Sequence, residues 1–230
     1  MNLRKLFGQK NPPPAAPPSV PPDNRPLNLD PKHITFRGPP MDDPEMLSRL
    51  PADLRRLLTE VNGFILFDGG LHIRGACLQP DWHSLRKVWE GELALPDLYT
   101  RVQYEDVPFG EDCLGDQFLL RDGIVYRLAA ETGELSSLNS GLFAFLDEAQ
   151  KDPVNYLNLQ PLLQFQREQG RSIKPGELLD AYPLFCTAES ANGVDLKAVP
   201  ALKRLSFLAH VAAQISKLPD GAKIQIKFVD

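Results

Sequence analysis

The dipeptide Asp122-Gly123 sets the tightest condition on what this chain can fold into. It separates two apolar-rich runs, residues 117–121 and 124–128, and both of its residues accept a positive φ at little cost. Such a pair specifies a tight β-hairpin with a type I′ turn. Upstream, residues 109–116 carry Gly110, Glu111, Asp112, Gly115 and Asp116 and read as an acidic loop. Downstream, residues 131–134 read as a second turn. Ser140 then stands where an N-cap would start a helix over residues 141–150, with Leu142, Phe143, Phe145 and Leu146 placed for burial.

Working outward, residues 43–61 show apolar side chains at near-helical spacing, from Met46 and Leu47 to Leu58 and Val61. Asp42 or Asp43 can cap this segment, and Pro44 suits a first turn. Pro51 predicts a break near Leu50 and a second helix to Val61, ended by Asn62-Gly63. Residues 64–67 and 71–74 are expected as paired strands around Asp68-Gly69-Gly70, residues 82–89 as a short helix capped by Asp81, and residues 93–107 as contributing a strand. Beyond Pro153 the pattern turns helical. Residues 156–165 are bent or split by Pro161 and stopped at Gly170, residues 177–181 form a short helix, residues 184–188 a strand, and residues 199–218 a long helix. Residues 223–228 alternate Lys or Gln with apolar side chains, as an edge strand would.

The first forty residues contain half of the 22 prolines. Proline removes backbone donors and fixes φ, so residues 1–40 are expected as an extended, disordered tail. Residues 41–152 then form an α+β domain, a mainly antiparallel twisted sheet with flanking helices. Residues 153–230 form a helix-rich C-terminal extension packed on it and ending in the edge strand.

Charge is unevenly placed. The net charge is −5, yet residues 90–150 hold 3 Lys or Arg against 13 Asp or Glu. A surface of that sign repels phosphate backbones, which argues against direct nucleic-acid binding, and it would steer a basic partner. Three widely spaced cysteines, Cys77, Cys113 and Cys186, form neither a disulfide framework nor a CxxC site. Cys113 has no adjacent base and reads as a buried, inert thiol. With no secretory h-region and no apolar run of membrane-spanning length, the expected location is the cytoplasm.

Catalytic signatures are missing: there is no GxSxG, P-loop, HExxH or dinucleotide fingerprint. His72 and His83 lack His-x3-His spacing, and the acidic segment lacks the DxDxDG spacing of a calcium loop, so neither a metal nor another cofactor is expected. The candidate contact residues are Glu105, Asp106, Glu111, Asp112 and Asp116, with Tyr104 and Tyr126 as aromatic anchors.

Leu50-Pro51-Ala52-Asp53-Leu54 running to Asn62-Gly63, then Gly115-Asp116, then Gly141-Leu142-Phe143-Ala144-Phe145-Leu146 occur in an order that resembles the SUKH superfamily of bacterial immunity proteins. The resemblance covers roughly residues 43–150. It implies a non-catalytic protein that binds a cognate toxin, such as a nuclease or deaminase domain, and occludes its active site. Some relatives in that superfamily are regulatory scaffolds with disordered arms, and the proline-rich leader here would suit such an adaptor.

Overall fold

The computed structural model describes residues 28–218. The expected edge strand at residues 223–228 and most of the expected tail lie outside them. The described part of that tail, residues 28–40, is not all tail: Ile34–Arg37 forms strand β1, which pairs antiparallel with β2 (Phe64–Leu66).

Among the described residues seven strands make one antiparallel sheet in which spatial order follows chain order: β1, β2, β3 (Leu71–Ile73), β4 (Val107–Asp112), β5 (Gln117–Arg121), β6 (Ile124–Ala129) and β7 (Glu134–Ser137). The β5–β6 hairpin turns at Asp122-Gly123 with φ of 50° and 80°, the positive values that a type I′ turn requires.

Each strand sends alternate side chains to opposite faces. One face carries Phe64, Leu66, Leu71, Ile73, Phe118 and Leu120 against helices α1 (Pro44–Arg49), α2 (Ala52–Glu60), α5 (Leu142–Lys151) and α7 (Gln160–Gln169). The break between α1 and α2 falls at Leu50-Pro51, since proline cannot donate to the preceding turn. Asp43 caps α1 by accepting from the Met46 N–H at 3.1 Å. Phe145 of α5 meets the Phe118 ring at 4.7 Å and the Phe109 ring edge-on at 5.8 Å. Truncating such a residue to alanine typically costs about 3–5 kcal/mol.

The second face carries Leu119 and Leu128 against Val88 of α3 (Leu85–Trp89), Leu95 of α4 (Leu95–Leu98), Tyr99, and Leu205 and Ala209 of α8 (Ala201–Ile215). A two-stranded ribbon, β8 (Glu177–Tyr182) paired with β9 (Asp195–Pro200), leads into α8. A four-residue helix, α6 (Pro153–Tyr156), bridges α5 and α7.

The α+β class and the antiparallel sheet with flanking helices are as the sequence predicts. Several elements are not. Residues 177–181 form β8 rather than a helix, because Leu179 and Ala181 point into the first core while the ladder to β9 occupies the backbone. Residues 184–188 are not a strand, and the next strand, β9, begins only at Asp195. Residues 93–107 hold the short helix α4 and irregular backbone before β4. The helix expected over residues 82–89 starts only at Leu85, after Ser84, and Asp81 does not cap it.

Candidate functional site

The acidic loop expected at residues 109–116 is instead β4 and the tight turn after it, and β4 is buried along its whole length. Its carboxylates are spoken for. Asp106, fully buried, takes Arg121 in a bidentate pair at 2.7 Å and 2.7 Å and also accepts from the Gln103 N–H. Asp112 accepts from the N–H groups of Leu114, Gly115 and Asp116, closing the β4–β5 turn, and pairs with Arg127 at 2.8 Å. Burial and the neighbouring Asp116 push the Asp112 carboxyl up to about 7, against the pull of Arg127. Asp116 bonds Arg127 at 3.0 Å and the Ala130 N–H at 2.8 Å. Tyr126 is half-buried beneath the Arg121 guanidinium, which sits 5.1 Å from its ring centre. Four of the five candidate carboxylates therefore hold the fold together, because a buried charge persists only where it is paired.

Glu105 and Tyr104 do face solvent, and Tyr104 is 67% exposed. Its hydroxyl donates to Asp97 at 2.5 Å, and the Trp89 indole N–H donates to its carbonyl at 2.9 Å. The ring is thus presented from a fixed backbone, with the exposed carboxylates of Glu92, Asp97 and Glu105 close by in sequence.

Glu111 belongs to a different constellation. On the second face of the sheet, Ile65, His72, Glu111 and Gln117 are successive cross-strand neighbours on β2, β3, β4 and β5. All four are buried. Arg74, one residue beyond β3 and fully buried, lies on the same side two residues from His72. Its Nη2 donates to Glu111 Oε2 at 2.7 Å and to Gln117 Oε1 at 2.8 Å, and its Nη1 to the carbonyls of Pro108 and Gly110. Gln117 Nε2 donates to Glu111 Oε2 at 3.2 Å and to the Gly115 carbonyl at 2.7 Å. Arg74 Nε is buried and has no acceptor among the described residues.

From Glu111 a chain of contacts runs through two imidazoles. Glu111 Oε1 lies 2.9 Å from His72 Nδ1, His72 Nε2 lies 2.8 Å from His83 Nδ1, and His83 Nε2 lies 3.1 Å from the Asn62 carbonyl oxygen. His83 reaches that position because the backbone around it carries no side chains. A Cβ on Gly75 would come within 2.8 Å of His83 Nε2, and one on Gly63, whose φ is +79°, within 2.7 Å. The Trp82 ring flanks both imidazoles at centroid distances of 5.3 Å and 5.4 Å.

Burial pushes the His83 imidazolium down to about 3, aided by the charge of His72. It lowers His72 as well, against the pull of Glu111. Burial alone would raise Glu111, but Arg74 and His72 hold its carboxyl down to about 2. The cluster is therefore an ionised carboxylate clamped by arginine, with two imidazoles driven toward neutrality.

This row borders a cavity of about 240 Å³ roofed by the segment leading into β8 and by the first residue of α8. The sheet supplies Thr35, Ile65, His72 and Glu111, the loop supplies Trp82, and the roof supplies Ile173, Lys174 and Leu178. His72 and His83, separate in the sequence reading, are thus brought together. The signal that could have found the row is local: in Leu71-His72-Ile73-Arg74, alternation puts two apolar side chains on the first core and two basic ones on the opposite face. Among the described residues no group of three or more His, Cys, Asp or Glu is arranged to hold a metal ion. Nor is any described helix long and apolar enough to cross a membrane. Cys113 is fully buried, and burial beside Asp112 raises its thiol well above the ordinary value, as an inert cysteine requires.

No protein-family model matches this chain, and no curated protein matches it. Among solved structures it resembles Atu4351 from Agrobacterium tumefaciens, known from a crystal structure, with a TM-score of 0.47 and 9% sequence identity over 76% of this chain and 85% of that one. At that level of similarity nothing about chemistry or partners carries across.

Proposed function

We propose that this chain is a non-catalytic binding protein that docks on a cognate protein toxin and blocks its active site, as its resemblance to immunity proteins implies. The observation that carries the proposal is Tyr104. It is a large aromatic side chain left in solvent, yet its hydroxyl and its backbone carbonyl are both tied down, and carboxylates flank it in sequence. A fixed aromatic loses little entropy on docking, and interface energy concentrates at such residues. Neighbouring carboxylates speed encounter with a basic surface and reject acidic ones. The contact patch proposed is accordingly Tyr104, Glu105, Asp97 and Glu92, not the internally paired Asp106, Glu111, Asp112 and Asp116. Three free cysteines, one of them exposed, suit action in a reducing cytoplasm.

The test captures partners from the source cells with the full chain and with a Tyr104→Ala/Glu105→Lys variant, then assays the purified partner's activity with each. The expected result is one stoichiometric partner whose catalysis the chain suppresses, with affinity reduced about 30-fold or more in the variant, as loss of a hot spot of about 2 kcal/mol demands. A partner bound without inhibition, or bound equally well by the variant, sinks the proposal.

A further inference from the structure

The contacts around His72 contain a count that does not close. The Asn62 carbonyl can only accept, so His83 Nε2 must carry hydrogen. One more hydrogen is needed between His83 Nδ1 and His72 Nε2, and a third between His72 Nδ1 and Glu111 Oε1. Two neutral imidazoles supply two. The third makes one ring an imidazolium or protonates Glu111, and in either case Arg74, Glu111 and the two histidines together carry one net positive charge. The charged groups that act on His72 are Glu111 and Arg74, so no further carboxylate compensates it. Burial meanwhile drives that third proton off. Geometry asks for a proton that electrostatics does not retain, and a negative charge brought against the cluster would resolve the conflict.

The cavity beside the cluster can admit one. His72 and Glu111 form part of its floor, and Lys174 stands exposed on its rim. Ala201, also in the lining, begins the fifteen-residue helix α8, whose preceding Pro200 offers no side-chain cap, so the positive end of that helix adds to the same sign. The lining carboxylates other than Glu111 do not reverse this. Glu177 is engaged by Arg171 and by the Lys174 N–H, and Asp68 is exposed to solvent. Apart from Thr35, whose hydroxyl donates to the Ile65 carbonyl, the remaining side-chain walls, Ile65, Ile173, Leu178 and Trp82, are largely apolar. At about 240 Å³ the space falls below the ~300–1,000 Å³ of pockets for drug-sized ligands.

We propose that this cavity binds a small organic acid, its carboxylate seated over His72 beside the Arg74-clamped Glu111 and its apolar body against Ile65, Ile173 and Trp82, with one proton taken up on binding. The apolar walls favour an organic carboxylate over inorganic phosphate. The proton taken up on binding leaves the cluster with one net positive charge, which favours an anion over an amine of the same shape.

The experiment uses the full chain and four probes of graded chemistry: acetate, benzoate, benzylamine and inorganic phosphate. Binding is followed by amide and imidazole shifts in NMR, and proton uptake by calorimetry in buffers of different ionisation enthalpy. Benzoate is expected to bind more tightly than acetate or phosphate, with benzylamine silent. Its affinity should fall about tenfold per pH unit above neutrality, as uptake of one proton requires. Lys174→Ala, an exposed change that leaves the cluster intact, should weaken benzoate several-fold. His72→Gln, an amide without a titrating proton, should abolish the pH dependence. Benzylamine or phosphate binding more tightly than benzoate would overturn the proposal. So would benzoate binding with no net proton, or no probe shifting the His72 and His83 resonances.

Discussion

Residue by residue, the second face of the sheet depends on keeping charges paired. Glu111 in the unfolded chain takes up a proton near 4.5, and in the fold only near 2. The stability it contributes is complete above pH 4.5 and is lost as pH falls from 4.5 to 2. His83 acts in the same direction over a higher window: it is held neutral in the fold, so acid favours the unfolded chain as pH drops from 6.5 toward 3. Asp112 opposes His83 between pH 7 and 3.8, because its carboxyl is raised to about 7 in the fold, so thermal melts should show the midpoint declining most steeply below about pH 4.5, where Glu111 takes effect. Glu111→Gln should destabilise by about 3–5 kcal/mol at pH 7, because it leaves Arg74 buried without its counter-charge. Its melting temperature should vary less than the parent's between pH 4.5 and 2, and an equal slope in both would remove Glu111 from the argument. The sequence showed that residues 90–150 are acidic but not that their carboxylates point inward. Arg74, Arg121 and Arg127, which absorb that charge, lie 11 to 37 residues from their partners, and only the sheet brings them together.

At the level of elements, local rules succeeded where a signal is short and steric. Asp122-Gly123 specifies its turn, Pro51 its helix break and Gly170 its left-handed helix stop, since each acts through the allowed φ of one or two residues. Gly123→Ala places a side chain at φ 80° and should cost about 1–2 kcal/mol, read as a lower denaturation midpoint with unchanged slope. The rules failed at β8 and β9. Leu178, Leu179 and Ala181 suit a helix turn as well as a strand, and what decides between them is the partner strand beginning eighteen residues after Glu177. They failed again at residues 82–84, where His83 is drawn out of any helix into the glycine-lined notch below Asn62. Gly75→Ala should eject that imidazole. The expected sign is loss of the His72–His83 contact in imidazole nitrogen spectra, together with a lower melting temperature.

Across the whole molecule, the sheet is sandwiched. Helices α1, α2, α5 and α7 cover one face, α4 and α8 cover the other, and α3 sends Leu85 and Trp89 to the first core and Val88 to the second. Arg204 anchors the second cover: with its side chain only 2% exposed, it pairs with Asp180 of β8 and faces Glu131 beyond β6 at 3.8 Å. Arg204→Ala should loosen this cover first, so hydrogen exchange ought to quicken in β8 and α8 while β5 and β6 stay protected. Uniform acceleration would mean that the two faces unfold as one unit.

The chain-order sheet has a consequence for synthesis. Every strand from β2 to β7 pairs with its immediate predecessor, so a nascent polypeptide leaving the ribosome can add strands in turn without waiting for later segments. Of the cover over the second face, α8 is translated last. Until α8 emerges, Leu119 and Leu128 lie open on that face beside the row of His72, Glu111 and Gln117, which stays solvated and so limits the aliphatic surface offered to neighbouring nascent chains.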